Sequence, residues 1–309
     1  MRFLTAIILL LCASSAGLAA GFDPNNPAAS GYSLVFDDEF KTIATIDINN
    51  TQLPGFNWYV QYPFGPEVTP PTDINVTNGV LTLSPLPGDG SAGGWLATAV
   101  KVAPTASNPE GYNGCAFGGG FYVEAKISFD PTNIGAGVGW PSFWGESLQH
   151  IIGGALPADQ WPGQAVGYVH FIEDDFFEYD TYGSGVDTFG GNFIDWYGIY
   201  NVTCSPFCQI WNSAHYLNTV PAGTNWDSWH TIGQLWIPGT PSNGYAGSVQ
   251  WYFDGIATTD LVTWVDSGVG SPPPTGNFIY SIIDQQSLVI VLDTGTTTPM
   301  KVKYVRVWQ

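Results

Sequence analysis

Five acids fall within the eight residues Glu173–Asp180, inside the run Val169-His-Phe-Ile-Glu-Asp-Asp-Phe-Phe-Glu-Tyr-Asp180. The chain average would place fewer than one acid there. The surrounding aromatics are strand formers, so this is not a solvated acidic tail. On a strand, Glu173 and Asp175 share a face because side chains alternate with period two. Glu178 is an odd number of residues from both, and a bulge at Phe176–Phe177 is needed to return it to that face. Three carboxyls in a row raise one another's pKa, so at least one keeps its proton near neutral pH. An ionised carboxylate beside a protonated acid is the pairing that cleaves glycosidic bonds by double displacement. A calcium loop would instead favour Asp, Asn and Gly in a turn.

The rest of the chain supplies short runs to hold such a strand. Gly79-Val-Leu-Thr-Leu-Ser84, Gly120-Phe-Tyr-Val-Glu-Ala-Lys-Ile-Ser128, Ser248-Val-Gln-Trp-Tyr-Phe253 and Lys301-Val-Lys-Tyr-Val-Arg-Val307 are rich in β-branched and aromatic residues. Several alternate polar and apolar positions. Phe253-Asp-Gly255 carries a hairpin-turn signal, and Gly or Pro interrupts almost every window where a helix would need to run. No repeat or linker divides the chain, so residues 21–309 are expected to form one all-β domain, a sandwich or jelly roll of two antiparallel sheets.

Composition narrows the partners. Against 26 acids stand 7 Lys and Arg, a formal charge of −19, too few cations to neutralise phosphates of nucleic acid or an anionic membrane. Thirteen Trp, 15 Tyr and 18 Phe in a chain that is only 11% charged suit a flat, neutral, polar ligand such as a sugar. Residues 1–20, with Arg2, an apolar run from Phe3 to Cys12 and the exit Gly17-Leu-Ala-Ala20, have the layout of a secretory signal peptide. A secreted, extracellular product is therefore expected. Removal of the signal would leave Cys115, Cys204 and Cys208, an odd set that implies one disulfide with a free thiol, or an intermolecular link, with any pairing open. These Cys and the scattered His have no zinc spacing, so no metal site is expected. Asn49-Asn-Thr51, Asn75-Val-Thr77 and Asn201-Val-Thr203 are N-glycosylation sequons.

Glu173-Asp-Asp-Phe-Phe-Glu178 fits the E-x-D-x-x-E signature of glycoside hydrolase family 16, the concanavalin-like jelly rolls that include laminarinases and agarases. Other segments resemble the family in the same order. Leu34-Val-Phe-Asp-Asp-Glu-Phe40 is similar to its opening strand, and Gly120–Ile127 to a strand preceding the cleft. Gly139-Trp-Pro-Ser-Phe-Trp144 resembles a cleft motif; Trp229–Trp236, Trp251–Gly255 and Tyr304–Trp308 resemble closing strands. The resemblance spans about Ser33 to Gln309. It implies Glu173 as nucleophile, Asp175 as its helper and Glu178 as general acid/base, acting with retention on a polysaccharide, a β-glucan first of all, without a cofactor. A monomer is expected. It also implies sugar stacking by Trp144 and Trp140, with core packing the alternative for Trp140. His230 would lie on the strand beside the catalytic one, and Lys101 is the cation nearest the position where many relatives carry Arg.

Departures accompany the resemblance. Where the family usually has an aliphatic residue facing the core, this chain has Asp174, a carboxylate costly to bury unpaired. A competing register, Glu178-Tyr-Asp180, would put Tyr182 in the acid/base position. Lys303 replaces the acid that often serves a convex calcium site. A long spacing between Trp144 and Glu173 implies an inserted loop around Leu148–Gly167. The reading that follows is an endo-β-1,3-glucanase; a galactan or mixed-linkage glucan hydrolase, or a non-catalytic carbohydrate-binding protein on the same fold, are the alternatives.

Overall fold

The structure, a computed structural model, describes residues 21–85, 94–134, 140–153, 168–179, 187–199, 210–240, 242, 246–264, 286–295 and 298–309. The expected signal peptide, Cys204, Cys208, Asn201, Asp180 and Tyr182 lie outside these residues. The principal strands are β1 (Trp95–Ala97), β2 (Phe121–Phe129), β3 (Ser142–Ser147), β4 (Tyr168–Glu178) and β5 (Thr188–Ile199). They continue with β6 (Ile210–Thr219), β7 (His230–Ile237), β8 (Gly247–Phe253), β9 (Ser287–Asp293) and β10 (Met300–Trp308). A single turn of helix, α1 (Leu148–Ile151), follows β3, with the Ser147 hydroxyl accepting from the His150 amide at 3.3 Å; residues 154–167 of the expected inserted loop lie outside the described residues. No helix among the described residues is long and apolar enough to cross a membrane.

With shorter strands, these form two nine-stranded sheets among the described residues. The first runs β8-β7-β2-β10, with Val80–Leu83 and Ile74–Thr77 beyond β10 and Leu34–Asp38 also paired to it. The second runs β6-β5-β4-β3-β9-β1 and continues through Trp58–Tyr59 to Ile46–Asp47. Pairing is antiparallel save for that last contact, which is parallel. The chain is thus an all-β, jelly-roll sandwich.

Alternation along the strands sorts side chains between the core and the two outer faces. Phe121, Val123, Ala125, Ile127 and Phe129 of β2 point into the core, as do Leu288, Ile290 and Leu292 of β9. Ile172, Phe176 and Phe177 of β4, in the same sheet as β9, complete the core, Phe176 meeting Phe121 and Phe177 meeting Phe129 of β2. Each fully buried aromatic or aliphatic side chain contributes about 1.5–3 kcal/mol, and the cluster draws on residues from Phe36 to Val307. A second apolar cluster covers part of the second sheet's outer face, where Trp95, Trp144, Val289 and Val291 pack under α1. The carboxyl trio stands on that same outer face, so its surroundings are packed and not merely solvated.

Candidate active site

Opposite Glu173, Asp175 and Glu178 of β4 stand Ile194, Asn192 and Gly190 of β5. On the other side stand Glu146, Trp144 and Ser142 of β3. Both neighbours therefore advance by even steps of two, while β4 takes a step of three from Asp175 to Glu178. The extra residue is the bulge expected at Phe176–Phe177. Both phenyl rings are fully buried, and the three carboxyls share the outer face. β4 ends at Glu178, and Asp180 and Tyr182 of the competing register lie outside the described residues.

A bulge breaks the regular ladder and needs a substitute partner for the freed backbone. Trp251 of β8 reaches across the core and donates its indole N–H to the Asp175 carbonyl at 3.1 Å. Gly191 makes room for it, since a Cβ there would stand 2.5 Å from that indole nitrogen.

Each carboxyl of the trio receives its own donor. The Trp196 indole donates to Glu173 Oε2 at 2.9 Å. Trp140 donates to Glu178 Oε1 at 3.0 Å. Asn192 Nδ2 lies 2.9 Å from both Asp175 Oδ2 and Glu178 Oε2, tying the middle carboxyl to the outer one. Burial lifts Glu173 above the usual carboxylate range, the Glu178 charge adds to this, and the Trp196 N–H opposes it. Burial also pushes Asp175 well up, reinforced by Glu178 and Glu173 on either side. Burial and its two neighbours thus favour the protonated form of Asp175, which relieves the repulsion between them. The arrangement can present one nucleophilic carboxylate and one acid, fixed by donors of three different side chains.

Asp174 faces the other way. It is fully buried between the sheets, where Gln234 of β7 donates to its Oδ1 at 2.6 Å. Burial drives its pKa far upward and the Gln234 amide only partly opposes this. A neutral, hydrogen-bonded acid is how the core accommodates the residue that breaks the aliphatic pattern.

Trp140 is half-buried and directs its N–H at Glu178, although part of it also packs on the core. Trp144 is only 9% exposed and lies in the apolar cluster under α1, with Phe64 stacked over it at 6.2 Å. Its ring is covered in this conformation, and Phe64, 44% exposed, is the aromatic that meets solvent. Lys101 is exposed, its Nζ 3.4 Å from where a Cβ on Gly153 would stand. His230 is a correction: β7 pairs with β2 in the opposite sheet. Its Nδ1 lies 2.8 Å from Asp254 Oδ2 and its Nε2 3.1 Å from the Asn225 carbonyl, so it is held away from the trio. Cys115 is an exposed free thiol among the described residues.

Sequence reasoning missed Asn192, Trp196 and His150. His150 stacks on Phe171 at 3.6 Å, and Phe171 on Trp196 at 6.2 Å. Burial pushes its imidazole down to about 4, so it stays neutral. His215 of β6 occupies the register position opposite Asn192. Only long-range contacts, strand pairing for Asn192 and Trp196 and ring stacking for His150, reveal these residues; the nearest, Asn192, is 14 positions beyond Glu178.

No family model matches the chain, and no curated protein matches it. Among solved structures, the chain is similar to an endo-1,3-beta-glucanase from Streptomyces sioyaensis, at 20% identity and TM-score 0.49, over 90% of this chain and 96% of that one. It is similar to LamAcat from Zobellia galactanivorans at 15% identity and TM-score 0.42, over 90% and 98% of the two chains. A third likeness is to the Emp46p carbohydrate recognition domain, at 9% identity and TM-score 0.35, over 76% and 84%. The chemical argument rests on the carboxyl trio itself.

Proposed function

We propose that this chain is a secreted, retaining endo-glycosidase of β-glycans, and specifically an endo-β-1,3-glucanase, acting as a monomer without a nucleic-acid or membrane partner. The observation that carries the reading is the bulge that sets Glu173, Asp175 and Glu178 side by side on one face, each with a dedicated donor. In the first step Glu178 gives its proton to the leaving glycosidic oxygen while Glu173 attacks the anomeric carbon. The carbon–oxygen bond to the leaving sugar breaks and a glycosyl ester to Glu173 forms. Glu178, now ionised, takes a proton from water, whose oxygen displaces Glu173 and restores the starting configuration. Asp175 takes no part in the proton transfers, and Asn192 holds it against Glu178.

Reducing-end release from laminarin, lichenan, galactan and agar tests both the reaction and the substrate. The expected result is release from laminarin that is abolished by Glu173→Gln. Release from galactan or lichenan alone would move the reading to those glycans. Binding without release would leave a carbohydrate-binding protein and end the enzyme reading.

A further inference from the structure

The face that bears the trio continues across two more strands. Ser142 of β3 stands opposite Glu178, Asp293 of β9 opposite Ser142, and Trp95 of β1 opposite Asp293. Asp293 is therefore two strand spacings, about 10 Å, from the acid/base position along the same row. That separation is of the order of a disaccharide. Its Oδ1 is buried and has no hydrogen-bond partner among the described residues. An orphaned acceptor of this kind costs stability and calls for an explanation.

The Tyr62 ring packs on Trp95 at 4.8 Å, and Asp293 is the carboxyl that acts most strongly on its phenol. That phenol makes no hydrogen bond among the described residues. Trp95 is committed elsewhere, its N–H donating to the Val60 carbonyl at 2.9 Å. Two residues beyond Tyr62, Phe64 supplies the exposed ring at the rim. We propose that Asp293 and Tyr62 form a sugar-binding subsite that takes hydroxyl groups of uncharged rings and turns away anionic ones. The proposal rests on the glycosidase reading above.

Two further observations support it. Burial raises Asp293 to about 8, with the Thr294 amide opposing, so at neutral pH the side chain is largely an acid that both donates and accepts. A sugar hydroxyl can satisfy both roles, whereas a carboxylate or sulfate cannot donate in return. The second observation is charge placement. Glu146 joins Glu173, Asp175, Glu178 and Asp293 on this face. Of the described cations, Lys126, Lys301, Lys303 and Arg306 belong to the first sheet, and Lys41 pairs with Glu39 beside it. Only Lys101 lies toward the second sheet, near Gly153. An anionic polymer laid on this face meets carboxyls, ionised or neutral, and no cation but Lys101 among the described residues to pair with.

The test uses β-1,3-gluco-oligosaccharides of graded length, and the same series with primary hydroxyls oxidised to carboxylates. Asp293→Ala is expected to raise KM about tenfold for the longer oligosaccharides, the loss of one buried hydrogen bond. Those too short to reach β9 should show little change, and kcat should alter far less than KM. Asp293→Asn, which keeps a donor and an acceptor, is expected to recover most of the loss. The oxidised series should be cleaved at least about tenfold less efficiently by the unaltered protein. Equal KM for Asp293→Ala and the unaltered protein at every length overturns the subsite, as does equal cleavage of oxidised and neutral chains. If the unaltered protein cleaves no neutral glycan, the glycosidase reading has failed instead. Calorimetric binding of the same neutral series to the unaltered protein and to Asp293→Ala then decides the subsite on its own. Circular dichroism and thermal unfolding confirm that each variant is folded.

Discussion

Trp196→Phe isolates one interaction of the proposed nucleophile. The substitution keeps an aromatic ring against Phe171, whose ring lies 6.2 Å away and nearly parallel. It removes the N–H that reaches Glu173 Oε2 at 2.9 Å. That donor favours the ionised carboxyl, so its loss raises the Glu173 pKa above the already elevated value set by burial and Glu178. A hydrogen bond to a charged group contributes about 1.5–3 kcal/mol, which corresponds to roughly one to two pH units. The acid limb of kcat/KM, which reports the free enzyme, should move upward by that amount. At pH 5 the variant should lose about ten- to a hundredfold in kcat/KM; from a starting value of about 7 for Glu173, the loss should shrink to about two- to tenfold at pH 8. The assay is kcat/KM on a soluble laminari-oligosaccharide from pH 4 to 9. A uniform loss at every pH, or an acid limb that does not move, would refute the assignment of Trp196 as the donor that keeps Glu173 ionised.

Two more outcomes follow from named contacts. Glu178→Gln should slow cleavage of an unactivated glycan by about 10²–10⁴, and much less with an aryl glycoside whose leaving group needs no proton; equal losses on both would remove Glu178 from the acid role. Asp174 titrates higher folded than unfolded, so its stabilising contribution is complete below its unfolded pKa and is lost as pH rises through the folded value. Asp174→Asn should therefore flatten the decline in urea-unfolding stability between pH 5 and pH 8, and unchanged slopes would contradict its burial as a neutral acid.

The parts legible in the sequence are those with local periodicity. The acidic run, the need for a bulge and the placement of three carboxyls on one face follow from alternation along a single strand. Asp174 stood out because a carboxylate broke an apolar position, but its remedy, Gln234, lies 60 residues away in the other sheet. Asn192, Trp196 and Asp293 carry no local signature. They join the site only because β5 and β9 pair in particular registers, and long-range pairing leaves no mark on composition. His230 illustrates the same limit, since a strand resembling its neighbour in order went to the opposite sheet. Trp144 was singled out by type, yet whether a ring is bare or roofed depends on the loop that carries Phe64.

The paired phenylalanines at the bulge tie the reacting groups to chain length. Point changes at positions 176 and 177 alter how well the sandwich is filled, and a smaller apolar residue still leaves the carboxyls where they are. Loss of a single residue there is a different event. With period-two alternation, it would turn Glu178 toward the interior or force Glu173 and Asp175 inward in its place. This short stretch should therefore tolerate drift in residue identity far better than any insertion or deletion, so that its spacing outlasts its spelling.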